Sequence, residues 1–245
     1  MLELGRPREL GELISVALAL FVRNFSLFFT LALIVVAPYV LVVDGIWGRE
    51  LAEGVDAAPP IAAQVASAAL SAIVAQPLIT AMFARIVLAI SEGRVPSVGE
   101  ALRAGLQAFL PAAAVVVLYT LGVVAGLLAF IVPGIWLGVR WYFGPQAVVV
   151  DGRRGVEALR RSDEVVRGQW WPTFGRLFVL GVFGLVIGLI AGGLLQAIGT
   201  AADSPALYVV GRVLGDAAAA SFAALAGTLL FFDRRARNVP EQAAA

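Results

Sequence analysis

Six stretches of this chain are apolar for long enough to cross a lipid bilayer as helices, and that feature limits everything else the chain can be. A spanning helix needs about 20 apolar residues at 1.5 Å rise. The stretches are Phe25–Val43, Ile61–Ile90, Pro111–Val132, Ile135–Val150, Trp171–Ile198 and Ala206–Phe232. The second is too long for a bilayer alone, so it must tilt or project into water. The fourth is short, and Gly144-Pro145 interrupts it. Composition points the same way. Sixty per cent of the 245 residues are apolar and only 14% are charged, against ~25% charged in a soluble domain. A water-soluble enzyme is thereby excluded. So is a nucleic-acid binder, since a net charge of +1 builds no field to recruit one.

The sparse charge is sorted by side. All 18 basic residues are arginine, a bias that fits a GC-rich prokaryotic genome. All but Arg49, Arg85, Arg140 and Arg212 fall in or next to one alternating set of segments: Met1–Asn24, Ser91–Leu110, Asp151–Trp170 and the tail from Asp233. The opposite set is Asp44–Pro60, a tight Pro133-Gly134 turn and Gly199–Pro205. It carries Arg49 against Asp44, Glu50, Glu53, Asp56 and Asp203. The positive-inside rule then places both termini in the cytoplasm, as an even number of spans requires. No cleavable signal peptide is expected, because the run Leu13–Val22 ends in Arg23-Asn24 rather than in small residues.

The basic segments carry helix signals of their own. Ser97-Val98-Gly99-Glu100 reads as a capping box. Val98, Leu102, Leu106 and Phe109 follow at helical spacing, so a short amphipathic helix is expected at the interface. Gly155–Arg167 repeats the idea, with Val156, Leu159 and Val166 as its apolar edge. Its opposite charges at i,i+4 are Glu157/Arg161, Arg160/Glu164 and Asp163/Arg167. Glu9–Val22 is a third, more apolar version. The fold class expected is therefore an all-α polytopic membrane protein. It has six transmembrane helices and three short interfacial amphipathic helices on the cytoplasmic side. A threefold internal repeat of interfacial helix, span, turn and span would make one membrane domain, with units of about 9–93, 97–152 and 155–235.

Few residues can carry chemistry. Histidine and cysteine are absent, which removes Ser-His-Asp triads, thiolate catalysis and the usual zinc and haem ligands. There is no Walker A loop, HExxH, GxSxG or dinucleotide fingerprint, and Leu214-Gly215-Asp216 lacks the glycine that would precede it in an intramembrane aspartyl protease motif. No cofactor, metal or nucleic acid is expected. Charges within spans stand out because hydrocarbon penalises them. Arg85 reads as a snorkelling arginine near the inner end of its helix. Arg212 and Asp216 stand four apart on the sixth span, near its outer end. Arg140 lies among Trp136, Trp141 and Tyr142, just before the Gly144-Pro145 break. It is either a structural ion pair or a fork for an anion. Gln76-Pro77 marks a kink in the second span, where Gln76 and Gln64 would line a polar seam. The candidate intramembrane polar residues are thus Arg140, Gln76, Arg212 and Asp216. GxxxG pairs at Gly122/Gly126, Gly134/Gly138, Gly184/Gly188, Gly188/Gly192 and Gly211/Gly215 allow close helix packing, within one bundle or across a dimer face.

The stretch Pro133–Gly175 resembles the membrane domain found with glycerophosphoryl diester phosphodiesterases and related six-span prokaryotic membrane proteins of unknown function. The residues that carry the resemblance are Pro133-Gly134-Ile135, Val139-Arg140-Trp141, Val150-Asp151-Gly152, Ala158-Leu159-Arg160-Arg161-Ser162 and Val166-Arg167-Gly168. The opening Leu10-Gly11-Glu12-Leu13 and the closing Asp233-Arg234-Arg235 are similar too. Asp163 stands where a bulky aromatic is common, and Asp151 where glutamate is. The resemblance implies six helices in a bacterial or archaeal plasma membrane. It does not imply catalysis, because the soluble phosphodiesterase barrel, ~250 residues on its own, has no room in this chain.

The function expected is a non-enzymatic, accessory or scaffold role in the plasma membrane. An arginine-rich cytoplasmic collar of Arg153, Arg154, Arg160, Arg161 and Arg167 would contact anionic lipid headgroups or a protein partner at that face. The alternative is a transporter or lipid-handling protein that binds an amphipathic anion near Arg140 and the Gly144-Pro145 break.

Overall fold

The computed structural model describes residues 2–47, 65 and 68–242, and every regular element among them is a helix. Ten helices follow in order: α1 (Leu10–Arg23), α2 (Phe25–Trp47), α3 (Gln76–Ser91), α4 (Val98–Ala129), α5 (Ile131–Trp141), α6 (Gly144–Asp151), α7 (Val156–Val166), α8 (Trp170–Gly188), α9 (Leu194–Ala201) and α10 (Pro205–Gln242). A π-helical turn, Ser71–Ala75, leads into α3, and another, Leu189–Gly193, joins α8 to α9. Among the described residues, five continuous helical stretches are long and apolar enough to cross a membrane: Phe25–Val43, Ala68–Ser91, Val98–Ala129, Trp170–Ala201 and Pro205–Asn238. Gln64 and Arg49 lie outside the described residues.

Several boundaries differ from the sequence expectation, each for a local reason. The fourth apolar stretch is two short helices. Pro145 has no N–H to continue the ladder, and α5 ends at Trp141 before α6 begins at Gly144. The hairpin into α5 turns at Phe130, which is extended at φ −162°. Pro133 and Gly134 lie in the first turns of α5, where a proline costs little. The capping box forms: Glu100 N donates to Ser97 Oγ (3.3 Å), and Ser97 N donates to Glu100 Oε2 (2.8 Å). The helix that it starts does not stop at Pro111, however. It runs on to Ala129 as one 32-residue helix, so no separate interfacial helix stands there. The charged tail is likewise a continuation of α10 rather than a loop.

The α10 helix is the axis of the molecule. It packs against α1, α2, α3, α7, α8 and α9, and 72% of its apolar window is buried, against 17% for α4 and for the α8–α9 helix. Leu225, Leu229, Leu230 and Phe231 of α10 meet Phe28, Phe83 and Phe143 in the main core. A second cluster joins Val115 of α4, Ala147 of α6 and Leu159 of α7. The outer faces are apolar as well, with Leu110, Leu128, Phe130, Ile190 and Leu194 all exposed. So much exposed apolar surface suits a lipid surrounding.

Glycine sets the closest crossings. A Cβ on Gly192 would collide with the Gly211 carbonyl and come within 2.7 Å of Gly215 N. A Cβ on Gly188 would press on Ala219 and Gly215, and one on Gly126 would come within 2.9 Å of Gly134 Cα across the α4–α5 hairpin. These glycine pairs therefore pack within one bundle.

Candidate functional site

The break between α5 and α6 frees backbone groups, and α7 supplies what they need. The buried Ser162 hydroxyl donates to Arg140 O (2.7 Å) and accepts from Phe143 N (3.0 Å). One side chain thus satisfies a carbonyl and an amide on either side of the interruption, which would otherwise be orphaned in an apolar setting. This gives the Ala158–Ser162 motif a structural task.

Arg140 is turned toward the same helix. Its Nε donates to Asp163 Oδ1, and its guanidinium carbon lies 4.0 Å from the centroid of the Trp136 ring. Arg167 Nη2 approaches the other Asp163 oxygen at 3.7 Å. Arg140 therefore has a carboxylate and an aromatic face as partners, and the cleft beside it, about 470 Å³, is also lined by Arg160 and Val156.

Gln76 and Asp216 come together elsewhere. They line a cavity of about 670 Å³ between α2, α3, α4, α5, α8 and α10. Its walls are mostly apolar, with Tyr39, Ser71, Tyr119 and Tyr142 as further polar groups. Asp216 stands about 16 Å along α10 from Pro205. Arg212 approaches it at 3.9 Å, but does not line the cavity. The four residues that sequence grouped as intramembrane polar candidates are thus divided: Gln76 and Asp216 share this cavity, Arg212 flanks it, and Arg140 belongs to the α5–α7 joint. A volume of this size, with apolar walls and a few convergent polar groups, is typical of small-molecule sites.

The collar arginines also divide. Arg161 Nε donates to Asp151 Oδ2 (2.7 Å), and Nη1 to Glu164 (3.0 Å). Burial works against the Arg161 charge, but these bonds outweigh it and its pKa is raised. Arg167 pairs with Asp163, and Asp163/Arg167 is the one expected i,i+4 pair within ion-pair distance. Arg153, Arg154 and Arg160 have no ion pair among the described residues.

The densest polar cluster escaped the sequence reading. Asp233 is fully buried and gathers four arginines. Arg8 donates its backbone N–H (2.7 Å), Arg176 donates from Nη1, Arg237 donates at 3.2 Å, and Arg234 Nε lies 3.4 Å away. Arg237 Nη2 reaches Arg8 O (2.8 Å), and Arg234 Nη1 reaches Gln169 (2.6 Å). Gln169 in turn donates to Asn238, which donates to the Glu164 and Val165 carbonyls. Asp233 ties the N-terminal segment and α8 to α10, and Gln169 and Asn238 extend the network to the end of α7. Burial, foremost, lowers the pKa of Arg8.

Comparison with known proteins adds a family. A family model described as a domain of unknown function, DUF7847, matches residues 74–232. No curated protein matches the chain, and no solved structure does. The match thus supports a helical family of unknown function, and nothing in the comparisons is specific to the membrane domain found with glycerophosphoryl diester phosphodiesterases.

Proposed function

This chain belongs to the DUF7847 family, a domain of unknown function, and from its geometry we propose a non-enzymatic protein of six membrane crossings that holds an amphipathic molecule within the bilayer. The observation that carries the proposal is the 670 Å³ cavity that Gln76, Tyr119, Tyr142 and Asp216 share. Among the described residues, the one acidic or basic side chain that lines it is the Asp216 carboxylate, which repels anions. The occupant is therefore a neutral or cationic amphipath with hydrogen-bond donors, and an anion at Arg140 is disfavoured by the Asp163 carboxylate already there.

The crossing count rests on α5 and α6 acting as one broken span. From Ile131 to Asp151 they extend about 30 Å if roughly collinear, enough for the hydrocarbon core. Both termini would then share one side, and the arginine distribution supports assigning that side to the cytoplasm, in keeping with a prokaryotic plasma-membrane protein. Helix α1, the first turns of α4 and helix α7 each open one of the three repeat units. The resemblance to the phosphodiesterase-associated membrane domain supports the same count.

Cavity occupancy is tested by native mass spectrometry of protein released from lipid nanodiscs. Gly181 lines the cavity, and an added Cβ meets nothing within 4 Å, so Gly181→Phe adds a bulky ring at the cavity wall from an unobstructed position. Gly175, on the same helix, has equal room but lies outside the cavity. Wild type and Gly175→Phe should retain a bound amphipath that Gly181→Phe loses. An identical bound complement in all three would contradict the proposal.

A second reading is favoured by the three unpaired collar cations. Arg153, Arg154 and Arg160 are available to anionic headgroups or to a cytoplasmic protein, each worth about 1 kcal/mol at a charged surface.

A further inference from the structure

We propose that the groove where α3 and α4 meet is a binding site for the phosphate headgroup of an acidic phospholipid. The groove encloses about 480 Å³ and is lined by Arg85 of α3, Arg94 of the α3–α4 loop and Arg154 of the α6–α7 link, with Gln107 of α4 beside them. Arginines from three segments of the chain are thus brought to one concavity. None of the three forms an ion pair among the described residues. Two carboxylates, Glu92 and Glu100, line the same groove. The Glu100 carboxylate is already engaged, since its Oε2 accepts from Ser97 N (2.8 Å) and Ser97 Oγ (2.9 Å). Three arginines against two carboxylates still leave the groove net positive, with donors arranged in planar forks, which suits a phosphate that offers only acceptors.

The walls choose a lipid over a free phosphate. Pro111, Ile86 and Val148 line the groove, and α4 exposes Leu106 and Leu110 next to it. From Leu110 on, α4 becomes an apolar helix whose flank is open. A headgroup seated among the arginines can therefore lay its acyl chains along α4. This also gives Arg85 a task beyond reaching the interface. The site is separate from the central cavity and requires only that α3 and α4 cross the membrane.

The test is a titration of the detergent-solubilised full chain with dioctanoyl phosphatidylglycerol, read by native mass spectrometry. The groove variant is Arg85→Gln/Arg94→Gln/Arg154→Gln. The control, Arg6→Gln/Arg23→Gln/Arg235→Gln, removes equal charge at arginines that do not line the groove. The groove variant should lose at least about tenfold in apparent affinity. The control should stay close to wild type, and phosphatidylcholine should bind all three alike. If the groove triple variant does not fold, each of its single substitutions should still weaken binding. Equal losses in both triple variants would show diffuse charge attraction and overturn the site. No loss in the groove variant would also overturn it. Displacement of the lipid by inorganic phosphate would overturn the assignment to a lipid. The Gly181→Phe comparison concerns the other cavity and can fail without affecting this result.

Discussion

At the residue scale, the break between α5 and α6 depends on one hydroxyl. Ser162→Ala would leave Phe143 N–H and Arg140 C=O without partners in a buried joint. The unfolding free energy should fall by about 1–3 kcal/mol, measured by denaturant unfolding in micelles. An unchanged value would mean that other groups satisfy the break. Arg140 was conspicuous in sequence as a charge in an apolar run, but its partner was not, because Asp163 stands 23 positions later on a helix whose own spacing pointed it at Arg167. Asp233 was harder still to read. Arg8 is 225 positions away, and nothing local marks an aspartate at the end of a span as the carboxylate to which Arg8 and Arg176 converge. The capping box was fully legible, because both of its hydrogen bonds lie within Ser97–Glu100.

At the element scale, apolar run length located the helices but not their ends. Pro111 was read as a boundary, yet α4 passes through it, because packing against α3 and α5 holds the helix on both sides. Pro145 did end a helix, since Ser162 was in place to take up the freed groups. The π-helical turns left no sequence signal beyond the nearby Pro77 and the glycines of Leu189–Gly193. Those glycines set the crossing of α10 with the π turn. Gly192→Leu must push α10 away, because its side chain would enter the Gly211 carbonyl and the Gly215 amide. Folded monomer should drop sharply in size-exclusion chromatography, whereas Gly175→Leu, with open space around it, should elute as wild type. Equal recovery of both would contradict the close crossing.

At the scale of the whole molecule, the described residues form a helical bundle built around α10, with apolar outer faces. The sequence itself showed charge sorted between alternating segments. It did not show the cavity, which is lined by residues from six helices spread from Val36 to Gly227, so only the tertiary arrangement reveals it. The sixth crossing is checked by cysteine labelling, since the chain has no cysteine of its own. Phe130→Cys and Arg153→Cys flank α5 and α6. Membrane-impermeant maleimide should label Phe130→Cys in intact cells, and Arg153→Cys only after permeabilisation. Labelling of both from the same side would mean that α5 and α6 do not cross.

The central claim is that the cavity between Gln76, Tyr142 and Asp216 holds an amphipath in the membrane, and the most direct measurement is electron cryo-microscopy of the full chain in native nanodiscs. The account expects elongated density filling that cavity, with a polar end near Asp216. A cavity closed by its own side chains, or one that holds no ordered density while neighbouring side chains are resolved, would contradict it.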